Sequence, residues 1–286
     1  MTQALGLADV TVVTVSFNSA AMMAGMLATI AAGVQTVVVD NGSEDDTAEV
    51  ALAAYATLVR PGANVGFGRG CNAGAATART PFLFFVNPDA RLEPRCIEEL
   101  LAAAERWPQA SAFNPRIVNP SGRVEYKWRS VLVPRSSWLA RRVPDVDTEL
   151  PALAGGAFFC RRDCFEKVGG FDPAIFLFHE DDDLAIRMRA ACGPLIFVPS
   201  ATVNHAAGRS SGRSPAMARF RGYHIARSRI YAMNKHGQPL PWLRTALSAA
   251  AGLAAPYNFF SGRRRAKYIG QWAGAWSALR DGGKYE

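Results

Sequence analysis

Strand-like and helix-like stretches alternate through the first third of the chain, and this alternation restricts the fold more than any other feature. Val10-Thr-Val-Val-Thr-Val-Ser16 is a β-branched run, the pattern of a buried strand. Phe17-Asn-Ser19 breaks it, and Ala20 to Ala32 reads as a helix. Thr36-Val-Val-Val-Asp40 is the next strand and ends in the turn signal Asn41-Gly-Ser43. Ser43 is a candidate cap for a helix over Thr47 to Tyr55, with Asp45 and Asp46 in its first turn. Thr57 to Val59 is a short strand, Asn64 to Gly74 opens a helix, and Phe82 to Val86 is a fourth strand. Alternation at this spacing predicts an α/β fold: a Rossmann-like, mostly parallel sheet with helices on both faces. Such sheets bind ligands at the carboxyl ends of their strands. Ser16, Asp40 and Asp89 lie at those ends.

A second feature demands compensation. Glu180-Asp-Asp-Asp183 follows Phe176-Leu-Phe178 and precedes Leu184, Ile186 and Met188. Adjacent carboxylates repel, so a folded chain holds them together only with water, metal, basic partners or backbone N–H groups. A helix N-terminus alone accounts for acids in a first turn. Asp89, at the end of Phe82-Leu-Phe-Phe-Val-Asn-Pro-Asp89, adds a separate acid at the end of an apolar element. The two together suggest a metal site and a catalytic base.

Farther along, Arg95 to Arg106 reads as a helix, Ser111 to Phe113 as a strand and Asn119-Pro-Ser-Gly122 as a turn. Arg123 to Pro151 is irregular, the length of a functional loop. Ala154-Gly-Gly-Ala-Phe-Phe-Cys160 is a strand whose Gly155-Gly156 pair admits close approach of another group. Leu195 to Val198 is a last core strand, followed by Val203-Asn-His205.

The 286 residues carry 32 Lys and Arg against 24 Asp and Glu, a net charge of +8. The excess is local: 18 against 22 up to Asn204, then 14 against 2 from His205 to the end. The basic C-terminal part points to phosphates, whether of nucleic acid, an anionic membrane face or a diphosphate substrate. Five scattered cysteines read as reduced and mostly buried, which fits the cytosol. Neither a signal peptide nor a membrane span is expected. Gly66, Gly68 and Gly70 lack dinucleotide-fingerprint spacing and follow the third strand, so a dehydrogenase is a weak reading.

Seven short motifs occur in a telling order: Val13-Thr-Val-Ser-Phe-Asn-Ser19 (with Thr14 its second residue), Val38-Val-Asp-Asn-Gly-Ser43, Asn64-Val-Gly-Phe-Gly-Arg-Gly70, Phe85-Val-Asn-Pro-Asp89, Gly155-Gly-Ala-Phe-Phe-Cys-Arg161, Val168-Gly-Gly-Phe-Asp172 and His179-Glu-Asp-Asp-Asp-Leu184. Together they resemble the family 2 inverting glycosyltransferases of GT-A fold, especially the rhamnosyltransferase-like branch of bacterial polysaccharide assembly. The resemblance covers about residues 9 to 236 and implies a GT-A domain over 1–236, with a basic, aromatic-rich helical extension over 237–286. It implies a nucleotide-sugar donor, with dTDP-L-rhamnose the best guess, a Mg²⁺ or Mn²⁺ ion, and a glycan or lipid-linked acceptor. The family's metal motif stands here as Asn87-Pro88-Asp89, so Asp89 would be the main carboxylate on the ion. Asp181 matches the base, Glu180 would orient the acceptor or tune Asp181, and Asp183 would cap the helix or pair with Arg187. Asp182 departs from the usual apolar residue and is expected to face solvent.

The same resemblance places Ser16, Asn18, Asp40, Asn41, Gly66, Arg69, Asn87 and Asp89 around the donor. For Asp40 an Asx-turn with Gly42 and a nucleotide contact are compatible; for Arg69 a solvated surface position stays open. His205 would meet metal or diphosphate, or be an ordinary half-buried histidine. Gly155, Gly156, Glu180 and Trp128 would face the acceptor, with plain packing the other reading for Trp128. Arg209-Ser-Ser-Gly-Arg213 would fold over the diphosphate.

In the tail, Trp242, Tyr257, Phe260, Trp272 and Trp276 interleave with Arg244, Arg263-Arg-Arg265 and Lys267. That composition suits the inner face of an anionic membrane, so a cytoplasmic protein peripheral to it is expected. Packing on the catalytic domain and homodimerisation are the other uses of such helices. A nucleic-acid-binding module would leave the clustered acids unexplained. A nucleotidyltransferase would need a basic first loop, which Ser16-Phe-Asn-Ser19 is not.

Overall fold

The computed structural model describes residues 4–206 and 214–282. A single sheet organises them. Its strands are β1 (Val10–Ser16), β2 (Gln35–Asp40), β3 (Thr57–Val59), β4 (Phe82–Val86), β5 (Ala90–Leu92), β6 (Ala112–Val118), β7 (Thr148–Leu150), β8 (Ala157–Arg161) and β9 (Leu195–His205). The order is β3-β2-β1-β4-β8-β6-β9-β5, with β7 added to β9. β3, β2, β1 and β4 run parallel, β8 inserts antiparallel beside β4, and β6 and β9 are again parallel to each other.

The apolar runs become strands because both sheet faces are covered. Val10, Val12, Phe82 and Phe84 face one core, closed by Met23 and Met26 of α1 (Ala20–Leu27) and by Ile97 and Leu100 of α4 (Cys96–Arg106). Val13, Val15, Leu83 and Phe85 face the other, with Phe158, Phe165 and Phe171 against them. Phe85 stacks on Phe158 at 4.9 Å and meets Phe171 edge-on at 5.5 Å. The helices of the first half are α1, α2 (Thr47–Ala53) and α3 (Phe67–Ala75); α5 (Arg162–Lys167) and α6 (Glu180–Cys192) follow β8. α3 lies close on the sheet because Gly74 has no side chain: a Cβ there would sit 2.6 Å from Val13.

Several elements differ from the sequence reading: β5 and β7 are strands it did not contain, β7 lying within the irregular segment from Arg123 to Pro151, and α2 ends at Ala53 rather than Tyr55. α1 stops at Leu27 rather than Ala32, where the Thr29 hydroxyl donates to the Met26 carbonyl and the chain turns. β6 continues through Pro115, because a register shift between Pro115 and Arg116 accommodates the missing N–H. The segments around Val198 and Val203 form one strand, β9.

Four helices follow: α7 (Pro215–Lys235), α8 (Pro241–Ala254), α9 (Pro256–Phe259) and α10 (Gly262–Arg280). α7 and α10 cross at backbone distance. A Cβ on Gly222 would lie 2.0 Å from the Lys267 carbonyl oxygen, and one on Gly274 would lie 2.3 Å from that of Tyr223. Buried Arg227 pairs with Asp281 and Ser277 across this crossing.

Gly222→Val should therefore cost about 1–3 kcal/mol through overpacking. Hydrogen exchange should show loss of amide protection in α7 and α10, with the strands of the sheet unchanged.

Candidate active site

The carboxyl ends of β1, β2 and β4 gather most of the sequence-predicted donor residues. Asp40 ends β2 and is buried; its Oδ1 accepts the Ser43 N–H at 2.9 Å, and its Oδ2 lies 3.3 Å from Nε of Arg60. The turn thus forms and still presents the carboxylate. Asn18 adopts a left-handed backbone (φ 51°) and accepts the Glu44 N–H on its side chain. Ser16 is fully buried, its hydroxyl 3.4 Å from that of Thr47.

Asn41 spends both ends of its amide inside the protein. It donates to Asn64 and to the Gly66 carbonyl and accepts the Val65 N–H, so it latches the glycine-rich loop. Gly66 (φ 90°) is required there, because a Cβ would meet the Phe176 carbonyl oxygen at 2.4 Å. Phe67 N–H bonds that same carbonyl. The glycine-rich loop is therefore docked on the start of the acidic stretch. Arg69 is exposed and donates to the Pro173 carbonyl at 2.7 Å.

Asp89, Asn87 and His205 meet where β9 pairs with β5. His205 Nε2 lies 3.2 Å from Asp89 Oδ1 and 3.4 Å from the Asn87 amide nitrogen, and Nδ1 lies 3.4 Å from Glu125 Oε2. Burial works against the charged imidazole, but Asp89 and Glu125 outweigh it and raise its pKa to about 9. Among the described residues no three His, Cys, Asp or Glu side chains converge as a ready-made ligand set. The donors present nonetheless fit a hard divalent ion. Asp89 and, with its proton released, His205 would offer an oxygen and a nitrogen to such an ion, lying 3.2 Å apart. Glu125 on Nδ1 is the outer partner a metal-ligating histidine ordinarily has.

The acids of α6 share one turn and have four separate environments. Phe178 (φ 68°) and His179 (φ 64°) both take left-handed backbones just before the helix, a strained entry of the kind concentrated at functional sites. Glu180 is buried, its Oε2 has no hydrogen-bond partner among the described residues, and burial followed by the Asp181 charge pushes its pKa up. Asp181 keeps 17% of its side chain exposed; its Oδ2 accepts the Gly155 N–H at 3.1 Å and lies 3.3 Å from Lys127 Nζ.

Asp182 corrects an expectation: it is buried rather than solvent-facing. Lys127 at 3.0 Å and His179 at 3.2 Å compensate it, and they hold its pKa down against the burial that would raise it. Asp183 is fully buried among Arg187 (2.7 Å), Lys235 (2.8 Å) and His236 (2.8 Å). The hydrogen bonds from His236 and Lys235 and the Arg187 charge outweigh burial and hold its carboxyl well below the usual range.

One dipeptide joins the two halves. A Cβ on Gly155 would lie 3.1 Å from Asp181 Oδ2, and one on Gly156 would lie 3.2 Å from the His205 ring. Trp128 packs edge-on against Trp138 at 6.0 Å with the Arg129 guanidinium over its ring. Arg209-Ser-Ser-Gly-Arg213 lies outside the described residues. Sequence reasoning missed Glu125 and Lys127. Both come from the irregular segment after β6, where no periodicity marks them; only their extended i, i+2 spacing hints at a shared side.

The chain is similar to known glycosyltransferases. The family model described as glycosyl transferase family 2 matches residues 11–169. An N-acetylglucosaminyl-diphospho-decaprenol L-rhamnosyltransferase of Mycobacterium tuberculosis is 31% identical, covering 81% of this chain and 87% of the relative. An uncharacterized glycosyltransferase of Mycobacterium bovis is 34% identical over 42% of this chain and 58% of its own. The mannosyltransferase PcManGT of Pyrobaculum calidifontis, solved with GDP-Man and Mn²⁺, superposes with a TM-score of 0.57 at 16% identity over 94% of this chain and 87% of that one. S. aureus TarS 1-349, solved with UDP-GlcNAc, gives 0.57 at 15% identity over 97% and 93%. At these identities the likeness is one of fold, and it agrees with the GT-A architecture implied by the motif series.

Asp183→Asn would leave Arg187, Lys235 and His236 facing one another, and should cost about 3–5 kcal/mol at neutral pH. Because the folded pKa lies below the ordinary 3.8, the wild-type advantage is complete above that value. It should shrink as pH falls below 3.8, which paired urea titrations from pH 7 to pH 3 would measure.

Proposed function

The chain belongs to glycosyl transferase family 2, and we propose that it transfers L-rhamnose from dTDP-rhamnose to a hydroxyl of a lipid-diphosphate-linked sugar, with inversion. The relative of known activity supports the sugar and the acceptor class. One observation carries the mechanism: adjacent Gly155 and Gly156 lie against Asp181 and His205 respectively, so base and diphosphate site border one another.

In this reading Asp181 is the base. Its carboxylate takes the acceptor hydroxyl proton while that oxygen bonds the anomeric carbon from the face opposite the leaving group. The bond from the anomeric carbon to the diphosphate oxygen breaks, and the nucleoside diphosphate departs with the electron pair. Asp89 and His205 would hold a Mg²⁺ or Mn²⁺ ion, which supplies positive charge for the leaving diphosphate. Asn87 lies against His205, and Glu125 orients the imidazole. Asp40 addresses the nucleoside, with Arg60 beside it. Glu180, inward and carrying a raised pKa, supports Asp181 from behind rather than meeting solvent.

The helical extension suits a peripheral contact with an anionic membrane. Among the described residues no helix is long and apolar enough to cross a membrane. Tyr257 on α9, Phe260 just after it, and Trp272 and Trp276 on α10 are exposed, and α10 also carries Arg263-Arg-Arg265 and Lys267. Aromatic edges among cations fit the headgroup layer where a lipid-linked acceptor resides.

Asp181→Asn should reduce transfer by about 10²–10⁴-fold, the range of a lost general base, while dTDP binding stays within a factor of two. Asp89→Ala should abolish the Mn²⁺-dependent part of the thermal stabilisation by dTDP. A wild-type protein that no nucleoside diphosphate stabilises, with or without Mn²⁺, would refute the donor site.

A further inference from the structure

Lys127 is the only described cation in contact with Asp181. It arrives from the irregular segment between β6 and β7, which is fixed at its start by a bridge from Val118 to Val124 and by the Glu125 N–H bonded to the Ile117 carbonyl. Glu125 and Lys127 reach the same site, Glu125 at His205 and Lys127 at the α6 acids, with a tight turn at Lys127 closed by the Trp128 N–H on the Tyr126 carbonyl. Lys127 Nζ lies 3.3 Å from Asp181 Oδ2, and the Gly155 N–H lies 3.1 Å from that same oxygen. Both contacts fall on Oδ2. Of the four acids, Asp181 is the one least buried.

We propose that Lys127 is a positioning residue for sugar transfer: with the Gly155 N–H it fixes Asp181 Oδ2 and so directs the other oxygen, Oδ1, to the acceptor hydroxyl. The proposal rests on Asp181 being the base. A lysine suits the task, because its ammonium has three rotatable donors and serves Asp181 and Asp182 together. Asp182 has His179 as a second partner, whereas Asp181 has no other cation in contact among the described residues. Losing Lys127 would thus free the Asp181 carboxylate to rotate, while Asp182 stays partly compensated.

The experiment compares Lys127→Met, Lys127→Arg, Asp182→Asn, the double variant Lys127→Met/Asp182→Asn and Asp181→Asn. Each is assayed on the full chain for donor KM, kcat with dTDP-rhamnose and a lipid-diphosphate N-acetylglucosamine acceptor, and Tm. Lys127→Met should lower kcat by about 10–100-fold, as expected for a misaligned reacting group, with donor KM within a factor of two. Lys127→Arg should restore part of kcat. The double variant should recover Tm, because one buried charge leaves with its partner, yet stay slow relative to Asp182→Asn. It also supplies folded protein if Lys127→Met does not fold.

A Lys127→Met enzyme with near wild-type kcat would overturn the proposal. So would a double variant that regains kcat together with Tm, since Lys127 would then merely offset Asp182. Activity retained in Asp181→Asn would instead remove the base assignment on which the proposal stands. An inactive Asp181→Asn beside an unimpaired Lys127→Met would remove the lysine's role alone.

Discussion

The structure depends on keeping four adjacent carboxylates in one helical turn. Like charges at this spacing repel, and the helix dipole offsets only a fraction of the cost. The fold solves this by giving each acid a separate environment. Glu180 is buried, Asp181 meets Gly155 and Lys127, Asp182 sits between Lys127 and His179, and Asp183 is enclosed by Arg187, Lys235 and His236. The compensating groups come from β8's leading loop, the segment after β6, the turn before α6, and α7. The acidic turn is where these parts of the chain are obliged to meet.

That obligation also ties α7 to the sheet. Lys235 and His236, at the end of α7, reach Asp183, and Lys235 and Tyr231 reach Asp172. Ser228 donates to the Leu177 carbonyl, and His224 packs on Phe176 at 4.7 Å. Phe176 in turn closes over Gly66. One continuous set of contacts thus runs from the glycine-rich loop through the acidic stretch to α7 and, through the Gly222 and Gly274 crossing, to α10.

Much of this was legible in the sequence. Buried parallel strands announce themselves as apolar runs, so Val10–Ser16, the Asp40 strand and Phe82–Val86 were readable, and with them the strand ends that carry Asp40 and Asp89. Pairings between distant residues were not. Nothing local to Asp182 distinguishes it from a solvated acid; its burial follows from Lys127 lying 3.0 Å away in space and 55 positions away in sequence. Nor does the sequence show that the Asn41 amide is engaged with Asn64, Val65 and Gly66. Pro115 would ordinarily end a strand, and only the register shift beside it shows how β6 continues.

The segment after β6 has a consequence for engineering. Loops that overhang a sheet are natural targets when donor or acceptor preference is to be diversified by grafting from relatives. Here Glu125 and Lys127 leave the same face of that loop toward His205 and Asp181. A graft that adds or removes one residue after Val124 would turn both away together. A combinatorial library in this enzyme should therefore begin beyond Trp128 and keep the first turns of the segment as part of the scaffold.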